Sequence, residues 1–451
     1  MKGFAILLLT LAAAAAPGRG GEGTGLPGQE VTGREWSLRE CIDYALEHSL
    51  TVRQSENALS QKEVELNTAR NSGLPQVYAS ASENLSFGRG LTADNTYANT
   101  NTTSSSFSLG AQLPLFQGFR VKNNIILGEV SLKSAAAELE KARDDIRVGV
   151  AQAYAQVLYN YEILEVAKSQ IVIDSLQVAR LEDMRRNGKA SGAEVSAQRA
   201  TLAQSRLTLT QAEGNLALAV LDLTQLLELP EPEGFAIVRP EAGSLEPKPL
   251  LKPEEIYADA VRLRPAVASQ ELMLDYMDAN IAIAKGAFLP TLSLSGGLGT
   301  NYYTSSGHPG DGFYNQLSNN FSQYVGLSLN IPIFSQFSTR NQLKLAELNR
   351  SAQELRIEST KKSLYKEIQQ AYRNAVNAQE KLRSSEAARQ SAEDAFILMQ
   401  ARYENGKAGI TEFNESKTRF LSAGSDLVKA RYEYLLTSRL LDFYRGEEIV
   451  F

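Results

Sequence analysis

A chain of 451 residues with 46 Lys and Arg against 52 Asp and Glu carries a formal charge of −6, which argues against a general nucleic-acid binder. Its one cysteine, Cys41, excludes an internal disulfide and reads as buried packing; His48 and His308 are too few and too isolated for a metal cluster or a conventional triad. No nucleophile–base, metal-ligand or cofactor-binding spacing stands out, which argues against a secreted enzyme and for a chain that needs no cofactor.

Met1 to Ala16 has a lysine at position 2, an apolar run from Phe4 to Leu11 and alanines to its end, which reads as a secretory signal peptide. Pro17 obscures the cleavage point, no cysteine follows the apolar run as a lipid attachment site, and 17–35 reads as a flexible leader. Beyond it the best apolar stretch, Leu216–Leu229, is interrupted by Asp222 and Glu228 and falls short of the roughly 18 residues of a spanning helix. A membrane role cannot rest on transmembrane helices.

Trp36–Asn71 reads as a first helix, with Ser37 as cap and Glu40 three residues on. After Leu74-Pro75, residues 77–87 alternate apolar or small with polar side chains, although Glu83 breaks the series. A polar loop from Arg89 to Ser105 leads to a second alternating segment, 106–116. Two strands of this length match a membrane-spanning β-hairpin. Their lipid face would be Leu109, Ala111, Leu113 and Leu115.

About 120–186 follows as one helix of roughly 100 Å at the helical rise, free of proline. Ile125, Leu132, Leu139, Ile146 and Ala153 keep a seven-residue beat, with Gly128, Ala135, Ala142 and Gly149 three later. That is a coiled-coil seam with one side thin enough for close approach of a neighbour. The return helix, Ala193–Leu229, is short. Together with Trp36–Asn71 it nearly equals the long helix, so two short helices stacked end to end can pair with it.

The plan then repeats. Pro114-Leu115-Phe116 answers Pro332-Ile333-Phe334, and Asn187-Gly188-Lys189-Ala190 answers Asn405-Gly406-Lys407-Ala408, both at an offset of 218 residues. The first repeat covers 36–229, a Pro-rich connector 230–253, the second repeat 254–445, and a C-terminal tail 446–451. Strands are expected at about 291–302 and 321–334, with Val325, Leu327, Leu329 and Ile331 facing lipid, and a long helix at about 339–404. Four strands cannot close a barrel, and an open edge cannot be left in lipid, so other copies must complete it. Two copies give eight strands and a filled interior; three give twelve and room for a channel.

In this order and in duplicate, these features resemble the TolC-type outer-membrane efflux proteins, the outer membrane factors. The resemblance covers about 36–445 and rests on the helix–hairpin–long helix–helix order, Leu-Pro before each first strand, Pro-Leu-Phe or Pro-Ile-Phe after each second, and Asn-Gly-Lys at both turns. It implies a mainly α chain with a β-barrel part: a homotrimer whose twelve-strand barrel sits in outer-membrane lipid and continues as a periplasmic helical tunnel. It implies a passive exit duct for efflux or type I secretion, fed by a periplasmic adaptor and an inner-membrane transporter. A periplasmic coiled-coil adaptor or scaffold is the alternative, which the duplicated amphipathic strands oppose.

The resemblance also implies a gate near the second turn. The family's acidic rings fall on Glu412 and Glu415, and its tyrosine before the turn on Tyr403. The first half has Glu194 opposite Glu412 but Ala197 opposite Glu415. Ala408 stands where a basic gate partner is found, with Lys407 adjacent. The plainer reading is that both glutamates solvate a helix start and favour its dipole. Gly188 and Gly406 read as left-handed helix caps; with Lys189 and Lys407, the resemblance adds adaptor contact. Phe116, Phe119, Phe288, Phe334 and Phe337 cluster where strands meet helices, as a membrane-boundary girdle, as packing, or as both.

Overall fold

The structure, a computed structural model, describes residues 34–91, 96–230, 234–239, 249–306 and 310–451. The signal segment, most of the leader, part of the Pro-rich connector and His308 lie outside the described residues.

The chain begins with a two-residue strand, β1 (Glu35–Trp36), and then α1 (Leu38–His48) and α2 (Leu50–Asn71). Ser37 and Glu40 form the expected capping box: the Glu40 carboxylate accepts from the Ser37 amide at 2.9 Å, and the Ser37 hydroxyl accepts from the Glu40 amide at 3.3 Å. The single helix expected over Trp36–Asn71 is instead two, because Ser49 leaves the helical region at φ −56, ψ 127. Its counterpart in the second half is likewise divided, into α5 (Pro253–Leu263) and α6 (Pro265–Gly286). There the cause is plain: Pro265 forces the preceding Arg264 into an extended conformation.

The long helix α3 (Arg120–Arg186) has 67 residues and returns through α4 (Gly192–Leu226); α8 (Ser338–Glu404), also 67 residues, returns through α9 (Ile410–Tyr444). The short helices do lie end to end along the long ones. Leu66 of α2 sits against Gly128 near the start of α3, where a Cβ would lie 3.0 Å from it. The small-residue side of the seam thus lets α2 approach. Ala212 of α4 packs with Leu164 and Ala167 farther down, and Arg199 reaches Glu182 beyond that. On α8 the order is Asp278 with Arg350, Tyr257 with Tyr365, then Glu433 with Lys381.

Where α1 and α4 meet on α3, the largest apolar core gathers Leu38, Cys41, Val150, Tyr154, Leu158, Leu223 and Leu435. Two features of it escape the sequence reading. A strand β4 (Ala236–Ile237), inside the connector, pairs in parallel with β1, and the Tyr154 hydroxyl reaches the carbonyl of Val238 at 2.6 Å. The C-terminal segment is no loose tail: Ile449 is buried in the same core, and Phe451 lies 6.0 Å from the Tyr154 ring.

The sheet contains β2 (Gln76–Leu91), β3 (Tyr97–Gln117), β5 (Thr291–Ser305) and β6 (Ser322–Asn330), in the order β2-β3-β5-β6 and antiparallel throughout. The strands of the first half are longer than alternation suggests. Residues of the expected polar loop continue the ladder, Tyr97 opposite Leu91 and Ser105 opposite Glu83. Asn, Thr and Ser there carry no apolar period, so the backbone pairing leaves no trace in the pattern. β6 is shorter than expected and ends at Asn330, before Pro332, which has no N–H to donate. A seven-residue helix, α7 (Phe313–Asn319), occupies part of the second polar loop.

Residues directly opposite one another share a face. One face carries the rows Val77–Ala111–Gly296–Val325, Leu113–Leu294–Leu327 and Ala79–Leu109–Leu298–Gln323. The other carries Ser80–Ser108–Gly299–Ser322 and Tyr78–Gly110–Gly297–Tyr324. Both tyrosine rings occupy the space beside the glycines: a Cβ on Gly110 would stand 2.6 Å from Tyr78, and one on Gly297 2.7 Å from Tyr324. A register shift between Pro114 and Phe116 takes Leu115 out of the ladder and puts Phe116 opposite Leu292. The apolar row expected to run through Leu115 thus runs through Phe116, and Ile331 lies beyond the strand. Among the described residues the outer edges of β2 and β6 have no strand beside them.

Candidate gate at the helical turns

The two turns are built alike. Gly188 and Gly406 adopt φ of 72° and 68°, with open space where a Cβ would stand, so backbone conformation alone selects glycine. At the first, the Lys189 amide donates to Met184 O at 2.8 Å and the Gly188 amide to Arg185 O at 3.0 Å. At the second, Lys407 donates to Arg402 O at 2.8 Å and Gly406 to Tyr403 O at 3.1 Å. Both are Schellman motifs. Lys189 and Lys407 are exposed at the ends of the two hairpins.

Both return helices begin with a glutamate cap. Glu194 accepts from the amide of Ser191 at 2.7 Å and from its hydroxyl at 2.9 Å. The backbone hydrogen bond first, then the hydroxyl, holds its carboxyl below the usual glutamate value. Glu412 accepts from the Gly409 amide at 3.0 Å. Glu412 and Glu415 are both exposed on the first turns of α9, Glu412 just before the buried Phe413 and Glu415 between Phe413 and the buried Lys417. Glu412 therefore does serve the helix start, and its exposure leaves it facing outward as well.

Tyr403 stands apart from them. It is buried, stacked on Phe413 at 4.9 Å, in an aromatic group with Phe396 and, beyond it, Phe420. The Arg180 guanidinium lies 5.0 Å over its ring, and burial raises its hydroxyl pKa. Among the described residues that hydroxyl has no hydrogen-bond partner. The structure does not bring Tyr403 together with Glu412 and Glu415 within one chain; it holds the helices that carry them.

Two ion pairs join the hairpins on the turn side of the apolar core, and sequence reasoning missed both. Arg180 of α3 donates to Glu404 O at 3.1 Å and stands 3.8 Å from its carboxylate. Farther from the turn, Asp174 of α3 forms an ion pair with Lys417 of α9 in which both side chains are almost fully buried. Ser205 adds a hydrogen bond at 2.6 Å to the second Asp174 oxygen, and Gln198 one at 3.2 Å to the first. Asn414 donates to Gln198 at 3.2 Å. A sequence signal existed: Ala167, Asp174 and Leu181 keep the heptad, and Lys417 lies between Phe413 and Phe420 on one helix stripe. A charge on such a stripe marks a buried partner.

At the other end of the helices, Phe119 and Phe337 hold left-handed backbones, each with φ of 63°, and open α3 and α8. Each makes an edge-on contact with its neighbour, Phe116 at 5.2 Å and Phe334 at 5.6 Å. Phe119, Phe334, Phe337 and Phe288 are exposed, while Phe116 is half-buried. Gly118 and Gly286 cross there so closely that a Cβ on either would lie 2.2 Å from the other's carbonyl oxygen. Among the described residues no helix is long and apolar enough to cross a membrane, and no group of three metal-ligating side chains occurs.

A sequence model described as outer membrane efflux protein matches residues 41–228 and 256–447. Outer membrane protein OprJ of Pseudomonas aeruginosa is 25% identical over 381 residues, covering 82% of this chain and 75% of that protein. Outer membrane protein TolC of Escherichia coli is 24% identical over 383 residues, covering 82% and 74%. Among solved structures, the CmeC outer membrane channel of Campylobacter jejuni superposes with a TM-score of 0.77 at 17% identity, covering 93% of this chain and 89% of that one. The open-state MtrE outer membrane channel of Neisseria gonorrhoeae gives 0.71 at 21% identity, covering 91% and 88%.

Proposed function

The chain belongs to the outer membrane efflux protein family, and from that premise we infer how its parts divide the work of a channel. It is an outer-membrane exit duct with a periplasmic helical extension, passive in that no covalent chemistry is needed along the path. One observation carries the reading. A four-stranded sheet, apolar on one face and polar on the other, ends in two open edges and continues into helices of about 100 Å. Such a sheet is stable in lipid only when copies pair edge to edge. Three copies close twelve strands around a polar lumen.

The homotrimer is therefore the assembly we propose, with the repeats 36–229 and 254–445 as its building units. A periplasmic adaptor docks at the helical turns, with Lys189 and Lys407 presented there, and an inner-membrane transporter drives cargo through. The aromatic residues Phe116, Phe119, Phe288, Phe334 and Phe337 form the periplasmic boundary of the barrel. Glu412 and Glu415 project from α9 as stacked carboxylate rings, with Tyr403 packing the hairpin behind them. Their exposure, one helical turn apart beside a buried stripe, supports this role.

Native mass spectrometry in detergent tests the assembly. A trimer is expected, and a dominant monomer or dimer refutes it. Single-channel recording of the same sample tests the duct.

A further inference from the structure

Below the apolar core that Val428, Tyr432 and Leu435 share with α3, the ion pairs between the α3–α4 and α8–α9 hairpins fall into two tiers, and the tiers differ in kind. The lower, nearer the turns, is Arg180 with Glu404, whose side chains are 31% and 49% exposed. Water can replace either partner, so this tier can part without leaving a buried charge. The upper tier, roughly 9 Å farther along α3, is Asp174 with Lys417. Here three side chains donate to one carboxylate, and Ser205 and Gln198 are as buried as the ion pair itself. Withdrawing Lys417 would leave a carboxylate without a counter-charge and without access to water, an outcome far less favourable than losing an exposed pair.

Satisfaction of polar groups follows the same division. Asp174 has donors on both oxygens. Closer to the turn, the Tyr403 hydroxyl and Asn414 Oδ1 are buried without a hydrogen-bond partner among the described residues. Packing on the turn side is thus less completely satisfied than packing at the ion pair. A force that parts the tips separates the lower tier first and meets its resistance at the upper one.

We propose that the Asp174–Lys417 pair, set by Ser205 and Gln198, is a fixed pivot for the pore-side hairpin. Helix α9 and the end of α8 swing below it, and α3 and α9 keep their contact above it. Asp174 and Lys417 are positioning residues, since they act through the placement of α9 rather than by touching cargo. This rests on the reading that the α8–α9 turn is the gate. It adds where the moving part ends: about 18 Å from the end of α3 and about 10 Å from the start of α9.

Hydrogen exchange measured by mass spectrometry on the assembled protein, parent against Arg180→Ala, tests it alongside single-channel recording. The variant is expected to conduct several-fold more than the parent. Amides in 175–186 and 404–416 should exchange about ten-fold faster, while those in 160–173 and 418–430 stay within about two-fold. Faster exchange on both sides of the pair would mean that it separates on opening, which overturns the pivot and leaves the gate standing. Unchanged conductance with unchanged exchange overturns the gate, and the pivot with it. A second variant, Asp174→Leu with Lys417→Met, replaces the pair by apolar packing of similar volume. It should keep the parent's conductance and still open with Arg180→Ala. If it is open without that change, the pair is a latch. If the double variant does not assemble, the exchange pattern of the parent and Arg180→Ala still decides.

Discussion

Leu327 and Ser328 are neighbours on β6, at the same depth and on opposite faces of the sheet. Leu327 stands in the row Leu113–Leu294–Leu327, while Ser328 stands opposite Ser293. The apolar series on β3 from Phe107 to Phe116 spans roughly 20–25 Å once strand rise and barrel tilt are counted, the height of an outer-membrane apolar band. Leu327 falls well inside that band. An arginine there must leave water, and near the bilayer middle this costs about 2–4 kcal/mol per chain. At about 1.4 kcal/mol per factor of ten, that is a loss of roughly 30-fold to several hundredfold in the folding equilibrium of each chain.

Ser328→Arg instead places the same charge in a wet lumen, and its cost should be a small fraction of the other. Refolding into lipid vesicles across a urea series, with gel mobility reporting the assembled form, measures both. Equal losses for Leu327→Arg and Ser328→Arg would refute the face assignment. A larger loss for Ser328→Arg would mean that the sheet is turned inside out.

The gate is tested by recording from Glu412→Ala with Glu415→Ala: six carboxylates in one passage attract cations, so cation preference and block by periplasmic divalent ions should both weaken, whereas Glu194→Ala should change neither much. Lys417→Met alone leaves Asp174 buried and unpaired, which should destabilise by about 3–5 kcal/mol, seen as a lower midpoint of thermal disassembly. Gly406→Ala meets open space yet must hold φ near 68°, so its loss of about 1–2 kcal/mol in the same assay is wholly a backbone effect. The Glu194 cap has a pH signature. Its folded pKa lies below the ordinary 4.5, so its contribution is present above that value and is lost as pH falls through the lowered one. Amide exchange in the first turn of α4 should quicken there in the parent, and Ser191→Ala should remove much of the change.

What the sequence made legible is what has a period. The heptads and the turn glycines define α3 and α8, and the offset of 218 residues makes each half check the other. The sheet was legible where apolar residues alternate, and it vanished where β2 and β3 continue as Ser, Thr and Asn. There the ladder is held by backbone pairing and contacts such as Ser82 with Ser106 at 2.7 Å, which no hydropathy pattern records. β1 and β4 were invisible for another reason. Two residues each cannot show a period, and the side chain that ties them together, Tyr154, is distant in sequence. At the candidate gate, the glycines and the capping glutamates were readable because caps are local. The heptad marked Asp174 and Lys417 as buried charges but not as partners, because they are 243 residues apart and only the packed structure makes them neighbours.

That pair is also where the two halves cease to be equivalent. Applying the same offset of 218 residues, Arg199 stands where the second half has Lys417, and Ala392 where the first has Asp174. Both return helices thus carry a cation at this position, with different fates. Arg199 turns outward to Glu182 on its own hairpin, and its side chain is 61% exposed. Lys417 turns inward to the other hairpin and is buried. Two identical halves could each have satisfied their cation locally, as the first half does. Instead the acceptor is present only on α3, with its supporting Ser205 and Gln198 on α4, so α9 has one partner and one register against the first half. The duplication supplies two similar hairpins, and a buried charge that can be neutralised in only one way fixes which lies against which.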